Sequence, residues 1–151
     1  VGAHPAFNIP FYEHEDYTDY YLEFSVNEVL EKHLLNKNGY FTGKTEKLHL
    51  DLNRINLQPD LFKSDALVFK NLSSREVLIK NHKTPNFISV SFTDFTSLGI
   101  WAPPGAPFVC IEPWLGYADN EGPIKEFSHK EGVLSLERSS SFNAEFTIGV
   151  Y

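Results

Sequence analysis

The stretch Gly99-Ile100-Trp101-Ala102-Pro103-Pro104-Gly105-Ala106-Pro107-Phe108-Val109-Cys110-Ile111-Glu112-Pro113-Trp114 reads as a strand, a proline-rich turn and a second strand. Side chains on a strand alternate with period two, so Phe108, Cys110 and Glu112 share one face of the second strand. Pro113 has no N–H to donate, which predicts that regular pairing stops immediately after the glutamate. A single carboxylate among apolar neighbours is costly to remove from water. Glu112 therefore has a partner or does chemistry.

The same alternation recurs outward from this stretch. Tyr20-Tyr21-Leu22-Glu23-Phe24-Ser25-Val26 and Glu46-Lys47-Leu48-His49-Leu50-Asp51-Leu52 each read as a half-buried strand. Asn36-Lys37-Asn38-Gly39 reads as a hairpin turn, with Gly39 suited to a positive φ. Residues 65–69, 76–80 and 87–92 are further short strands, with Thr84-Pro85-Asn86 as the turn between the last two. The run Phe142-Asn143-Ala144-Glu145-Phe146-Thr147-Ile148-Gly149-Val150 is the cleanest alternation present. Helix is expected only at residues 28–35, as two turns with apolar residues at 29, 30, 34 and 35, and at residues 59–62, as one turn opened by Pro59. Strands at short intervals with turn signals between them predict an all-β fold, an antiparallel β-sandwich.

A chain of 151 residues suits one domain, and that length buries about two thirds of its unfolded surface. Its 13 basic and 20 acidic residues give a formal charge of −7, which argues against a nucleic-acid surface of clustered Lys and Arg. No apolar run reaches the ~18 residues of a membrane span, and no signal-peptide pattern opens the chain. Neither nucleic acid nor membrane is an expected partner. The single cysteine rules out an internal disulfide and fits a reducing cytoplasm. There is no Met, and the chain opens at Val1 in an apolar segment. Both features predict the C-terminal portion of a longer protein.

Candidate chemistry centres on two segments. In Val1-Gly2-Ala3-His4-Pro5-Ala6-Phe7-Asn8-Ile9-Pro10, an extended chain puts Gly2, His4, Ala6 and Asn8 on one face, with Phe7 and Ile9 on the other. His4 thus has small neighbours and room for a ligand beside an imidazole suited to proton transfer near neutral pH. A histidine satisfied within a packed interior is the alternative. A buried Glu112 has its pKa raised by desolvation and becomes a stronger base; the alternative is a structural Glu paired with Lys or a backbone donor. Asp65 sits before the apolar run Ala66-Leu67-Val68-Phe69, as a site residue or as a turn Asp bonded to its own backbone. Trp101 and Trp114 bracket the Glu112 segment, as aromatic faces flanking a polar ligand or, more often for a Trp pair in a β protein, as core. Glu13-His14-Glu15-Asp16 lacks metal-ligand spacing and is expected to be a solvated loop. Cys110 has no identifiable base and is expected to be a small buried hydrophobe. No metal is expected.

Several of these segments together resemble the aldose 1-epimerase (galactose mutarotase) family, most closely its LacX-like branch. They are Gly2-Ala3-His4-Pro5-Ala6-Phe7-Asn8, Asp65-Ala66-Leu67-Val68-Phe69, Leu98-Gly99-Ile100-Trp101 and Pro107-Phe108-Val109-Cys110-Ile111-Glu112-Pro113-Trp114. Gly116-Tyr117-Ala118-Asp119 and Lys130-Glu131-Gly132 extend the match through nearly the whole chain. The resemblance implies that residues 1–151 are part of a large antiparallel supersandwich that binds a free sugar in an open cleft. It implies interconversion of α- and β-anomers without a cofactor, with His4 as general acid, Glu112 as general base and Asp65 holding sugar hydroxyls. Asn8, Trp101 and Trp114 complete the expected sugar-binding set, and the expected ligand is a monosaccharide or a modified sugar.

Members of the family are longer at the N-terminus, where an Arg and a second His normally join the sugar site. The resemblance therefore implies low activity for this stretch by itself, and makes the remaining N-terminal segment or a second copy an expected partner. A carbohydrate-binding protein without turnover is the alternative function. A glycoside hydrolase is less well supported, because hydrolysis ordinarily uses two carboxylates and only Glu112 has a suitable setting.

Overall fold

The computed structural model describes residues 1–151, and strands dominate it. In chain order they are β1 (Ala6–Asn8), β2 (Tyr20–Phe24), β3 (Leu30–Leu35), β4 (Phe41–Leu48), β5 (Arg54–Asn56), β6 (Leu67–Phe69), β7 (Glu76–Asn81), β8 (Phe87–Ser91), β9 (Ser97–Trp101), β10 (Phe108–Trp114) and β11 (Thr147–Val150). Single 3₁₀ turns occur at Tyr17–Asp19 and Phe127–His129. No helix is long and apolar enough to cross a membrane.

The strands form two antiparallel sheets, in the orders β1-β10-β9-β6-β3-β4 and β11-β8-β7-β2-β5. The first sheet sends Phe7, Leu30, Leu67, Phe69, Leu98, Ile100, Val109 and Ile111 into the core, where they meet Tyr20, Leu22, Phe24, Val77, Ile79 and Val90 of the second. Period-two alternation then leaves the opposite face of the first sheet to His4, Val68, Gly99, Cys110, Glu112 and Trp114. The predicted sandwich is present, and one of its sheets has a second face free for a site.

Five local expectations give way. Of the strand expected over Glu46–Leu52, only Glu46–Leu48 belongs to a strand, as the end of β4. Residues 28–35 form no helix; Leu30–Leu35 is a strand paired with both β4 and β6. Two helical turns carry a high nucleation cost, whereas the predicted turn at Asn36–Gly39 folds the chain straight back. There Asn36 N–H donates to the Tyr40 carbonyl at 2.8 Å, and Gly39 has φ 81°. Residues 59–64 form successive turns rather than a helix.

Pro113 does not end its strand either. Pro113 and Trp114 stay in register with Leu98 and Ser97. In an antiparallel strand the N–H and C=O of one residue face the same neighbour, and the Pro113 carbonyl accepts from Ala3 N–H at 3.1 Å on the side of the N-terminal segment. The missing donor thus falls away from β9, whose ladder loses nothing. Finally, only Thr147–Val150 of the predicted terminal strand is paired, along β8. Ahead of it Ala144 and Phe146 still turn toward the core, but the Glu145 N–H goes to Asp94 Oδ2 at 2.8 Å.

Ile111 is fully buried directly between Cys110 and Glu112. Ile111→Ala is expected to cost about 2–5 kcal/mol of stability, as for other buried aliphatic truncations, read from the midpoint of urea unfolding.

Candidate active site

The site arises from the register of two edge-side strands. Ala6 lies opposite Cys110 and Asn8 opposite Phe108, so two residues further His4 comes opposite Glu112 on the same face. His4 Nδ1 and Glu112 Oε1 are 2.9 Å apart. The glutamate side chain is only 10% exposed while the imidazole is 60% exposed, so the pair has one fixed and one accessible member. Burial pushes the Glu112 carboxyl above the usual carboxylate range, against the opposing pull of His4 and a weaker polar contact from the Trp114 side chain. That is the environment of a base with raised proton affinity. Cys110 is buried beside them, and burial together with the Glu112 charge pushes its thiol up to about 11. It is therefore a protonated thiol at neutral pH and a poor nucleophile.

His4 and Glu112 open onto a cavity of about 1120 Å³, whose lining does not include Cys110. Its floor is the free face of the first sheet, including Val68, Trp101, Glu112 and Trp114; its other wall comes from the chain after β10, including Tyr117, Val133, Leu134 and Phe142. The walls are mostly apolar, with His4, Asp65, Glu112 and Lys130 among the few charged or titratable groups. A concave apolar site with a few converging polar groups is the usual form of a small-molecule pocket. Phe127 and Leu134 line it while remaining 75% and 59% exposed.

The structure brings His4, Glu112, Asp65, Trp101 and Trp114 to this cavity, and leaves Asn8 exposed at the far end of β1, outside its lining. Asp65 combines the two readings of its sequence position. Its Oδ1 accepts the Ala66 N–H at 2.7 Å, and it lines the cavity with φ 103°, a conformation held by its surroundings rather than preferred by Asp. Both tryptophans face the cavity, Trp101 also packing against the core. In the Glu13–Asp16 cluster Glu13, His14 and Asp16 are exposed, as expected of a solvated loop, but Glu15 is buried, where the Tyr20 hydroxyl donates to it and Thr84 lies within 3.3 Å.

Sequence reasoning missed the groups that hold the second wall. Lys70, only 5% exposed, follows β6 directly, pairs with Glu131 at 3.0 Å and lies 4.4 Å and 4.0 Å from the ring centroids of Phe41 and Tyr117. Burial and the neighbouring Glu131 push the Tyr117 hydroxyl up to about 12. A lysine ending an apolar strand carries no local signal of such a role; its partners come from distant segments. Trp114 is seated by a different device. A Cβ on Gly99 would lie 2.6 Å from the indole ring, and one on Gly2 2.7 Å from it. Alanine ordinarily improves on a strand glycine by about 0.5–1 kcal/mol. At Gly99 the sign is expected to reverse, because the overlap forces the indole to move at a cost of about 1–3 kcal/mol. In a Trp101→Phe background, Gly99→Ala should lower the unfolding midpoint and shift the emission of the one remaining tryptophan.

No family model matches the chain. Over 131 residues it is 35% identical to the plasmid-encoded and the chromosomal forms of protein LacX from Lactococcus lactis subsp. lactis, an alignment spanning 83% of this chain and 44% of LacX. Its fold superposes on a galactose mutarotase related enzyme from Lactobacillus acidophilus with a TM-score of 0.89 at 28% identity, covering 99% of this chain and 51% of that one. A galactose mutarotase-like protein from Lactobacillus casei ATCC 334 shares the fold with a TM-score of 0.86 at 24% identity, covering 99% and 52%. The chain spans about half the length of the relatives it matches.

Proposed function

On the premise that this chain, over the stretch it spans, is a LacX-like relative of the galactose mutarotases, we propose that its site interconverts the α- and β-anomers of a free aldose by general acid–base catalysis. The observation that carries the proposal is the His4–Glu112 pair, 2.9 Å apart, with the carboxylate buried at the floor of a cavity open to solvent. A sugar entering the cavity displaces the exposed imidazole from Glu112, and the C1 hydroxyl takes its place against Oε1. Glu112 removes the C1 hydroxyl proton while His4 protonates the ring oxygen, and the bond between C1 and the ring oxygen breaks to give the open aldehyde. Rotation about C1–C2 presents the other carbonyl face. Closure returns one proton to His4 and the other to O1. Each positioned group contributes about 10²- to 10⁴-fold, and the orientation imposed by the cavity adds to this. Asp65 holds sugar hydroxyls, and Trp101 and Trp114 offer apolar faces to the ring.

Residues 1–151 act here as the C-terminal portion of a longer aldose 1-epimerase-like domain, so full activity belongs to the full-length protein and the chain alone is weakly active. Polarimetry on freshly dissolved α-glucose and α-galactose is the test. Glu112→Gln and His4→Asn should each slow anomerisation by about 10²-fold or more; unchanged rates in both would overturn the mechanism. The base must be deprotonated, so the rate should fall on acidification with a midpoint above the ordinary glutamate value of about 4.3. Trp114→Phe removes a contact that favours the charged form and should move that midpoint higher. Asp65→Asn keeps a side chain tolerant of positive φ and is expected to raise KM more than it lowers kcat.

The closed His4–Glu112 contact favours one second reading, a sugar-binding protein without turnover. Sugar titration that saturates without accelerating exchange selects it.

A further inference from the structure

His4, Cys110 and Glu112 form a cluster that the acid–base reading does not use up. Their ligating atoms, an imidazole nitrogen, the thiol sulfur and a carboxylate oxygen, all lie within 4.8 Å of one another. Register builds this cluster: His4 is directly across from Glu112, and Cys110 is one pleat away on the Glu112 strand, opposite Ala6. Cys110 and Glu112 thus stand on β10, and His4 on the segment leading into β1, which is held to β10 on either side of it by Ala3 N–H to the Pro113 carbonyl and Ile111 N–H to the Pro5 carbonyl.

We propose that His4, Cys110 and Glu112 are a three-ligand site for a zinc-class divalent cation, and that an ion held there blocks the cavity floor. One nitrogen, one sulfur and one oxygen donor with a fourth position open to a cavity is the ligand set of an accessible zinc site. A tetrahedral ion with bonds of about 2.0–2.3 Å needs its ligands roughly 3.3–3.8 Å apart. His4 and Glu112 are already closer than that, at 2.9 Å. The exposed imidazole has the freedom to swing and close the distance to sulfur. The thiolate selects zinc over magnesium or calcium, which require several oxygen donors, and only one carboxylate is present. Binding displaces the thiol proton, and the ion takes the place of the 2.9 Å contact that now joins His4 and Glu112. A bound ion takes Glu112 Oε1 and a His4 nitrogen out of use. Only this inhibitory consequence rests on the function proposed above; the binding rests on the geometry alone.

The test pairs direct binding with activity. Zn²⁺ is titrated calorimetrically into the protein, and Co²⁺ is added as a spectroscopic probe of the ligands. The expected result is one ion per chain, a thiolate-to-cobalt charge-transfer band, and no competition from millimolar Mg²⁺. Cys110→Ser is expected to weaken Zn²⁺ binding by at least roughly tenfold, the smallest loss typical even for residues that merely support a ligand, and to abolish the charge-transfer band. Cys110→Ala provides the same readout if the serine variant unfolds, with near-ultraviolet circular dichroism reporting the fold. In polarimetry, Zn²⁺ should inhibit the wild type in competition with sugar, whereas Cys110→Ser keeps its anomerisation rate and resists the ion. Equal Zn²⁺ affinity in wild type and both Cys110 variants, or a cobalt spectrum without the thiolate band, overturns the site and leaves the mutarotase reading standing. A thiolate-ligated ion on a protein that never accelerates anomerisation upholds the site and overturns that reading instead.

Discussion

The pairing of Ala6–Asn8 with Phe108–Trp114 sets the rest of the molecule, because one register places two sets of residues at once. With Phe7 opposite Val109, the apolar members of both strands enter the space between the sheets, and their neighbours are forced to the other face. A slip by one residue would exchange the two sets, putting His4 and Glu112 into the core and Phe7 and Ile111 into the cavity. Packing of the core therefore specifies the site without touching it. The same alternation explains how an acid can be placed in apolar surroundings at a repeatable position, since its strand is anchored by Val109 and Ile111, neither of which is exposed.

A buried carboxylate works against stability, and the structure moderates that cost rather than removing it. His4 supplies an opposite charge when protonated, Trp114 a weaker polar contact, and both act against the desolvation that raises Glu112. Asn81 shows what the fold otherwise avoids, a buried amide nitrogen with no protein partner. The cavity above Glu112 is walled by a loop whose attachment depends on Lys70, one cation between two aromatic rings and a carboxylate. Gly116 and Gly132 complete that attachment. Both have positive φ, and a Cβ on either would press within 3.3 Å of the other's backbone.

Most of the sheet framework was legible because alternation and turn chemistry are local. The hairpin after Leu35, the proline-rich turn before Phe108 and the pairing of residues 76–80 with 87–91 all follow from neighbouring residues. The misreadings share one physical origin. Residues 28–35 were ambiguous in period, and strands on both sides of Leu30–Leu35 resolved them. The missing donor of Pro113 is visible in the sequence, but the neighbour it would face is set by strand order, which places it on the side away from β9. The alternation at residues 142–146 reported which side faces the core, which is not the same as having a partner to pair with. Glu15 looked solvated because Tyr20 and Thr84, which enclose it, could not be placed beside it from sequence.

The sequence by itself determined the all-β class, the two-faced character of the strands, and the candidacy of His4, Glu112 and the two tryptophans, because each rests on side-chain chemistry and a period of two; the candidacy of Asp65 rested on the family resemblance. The tertiary structure decided what those residues do together. It put Glu112 within 2.9 Å of His4 and brought Cys110 into the same cluster, left Asn8 outside the cavity, and recruited Lys70 to hold the opposite wall. The reason is that distances between residues a hundred positions apart are set by strand order and register, which depend on the summed packing of the core and are encoded in no single segment.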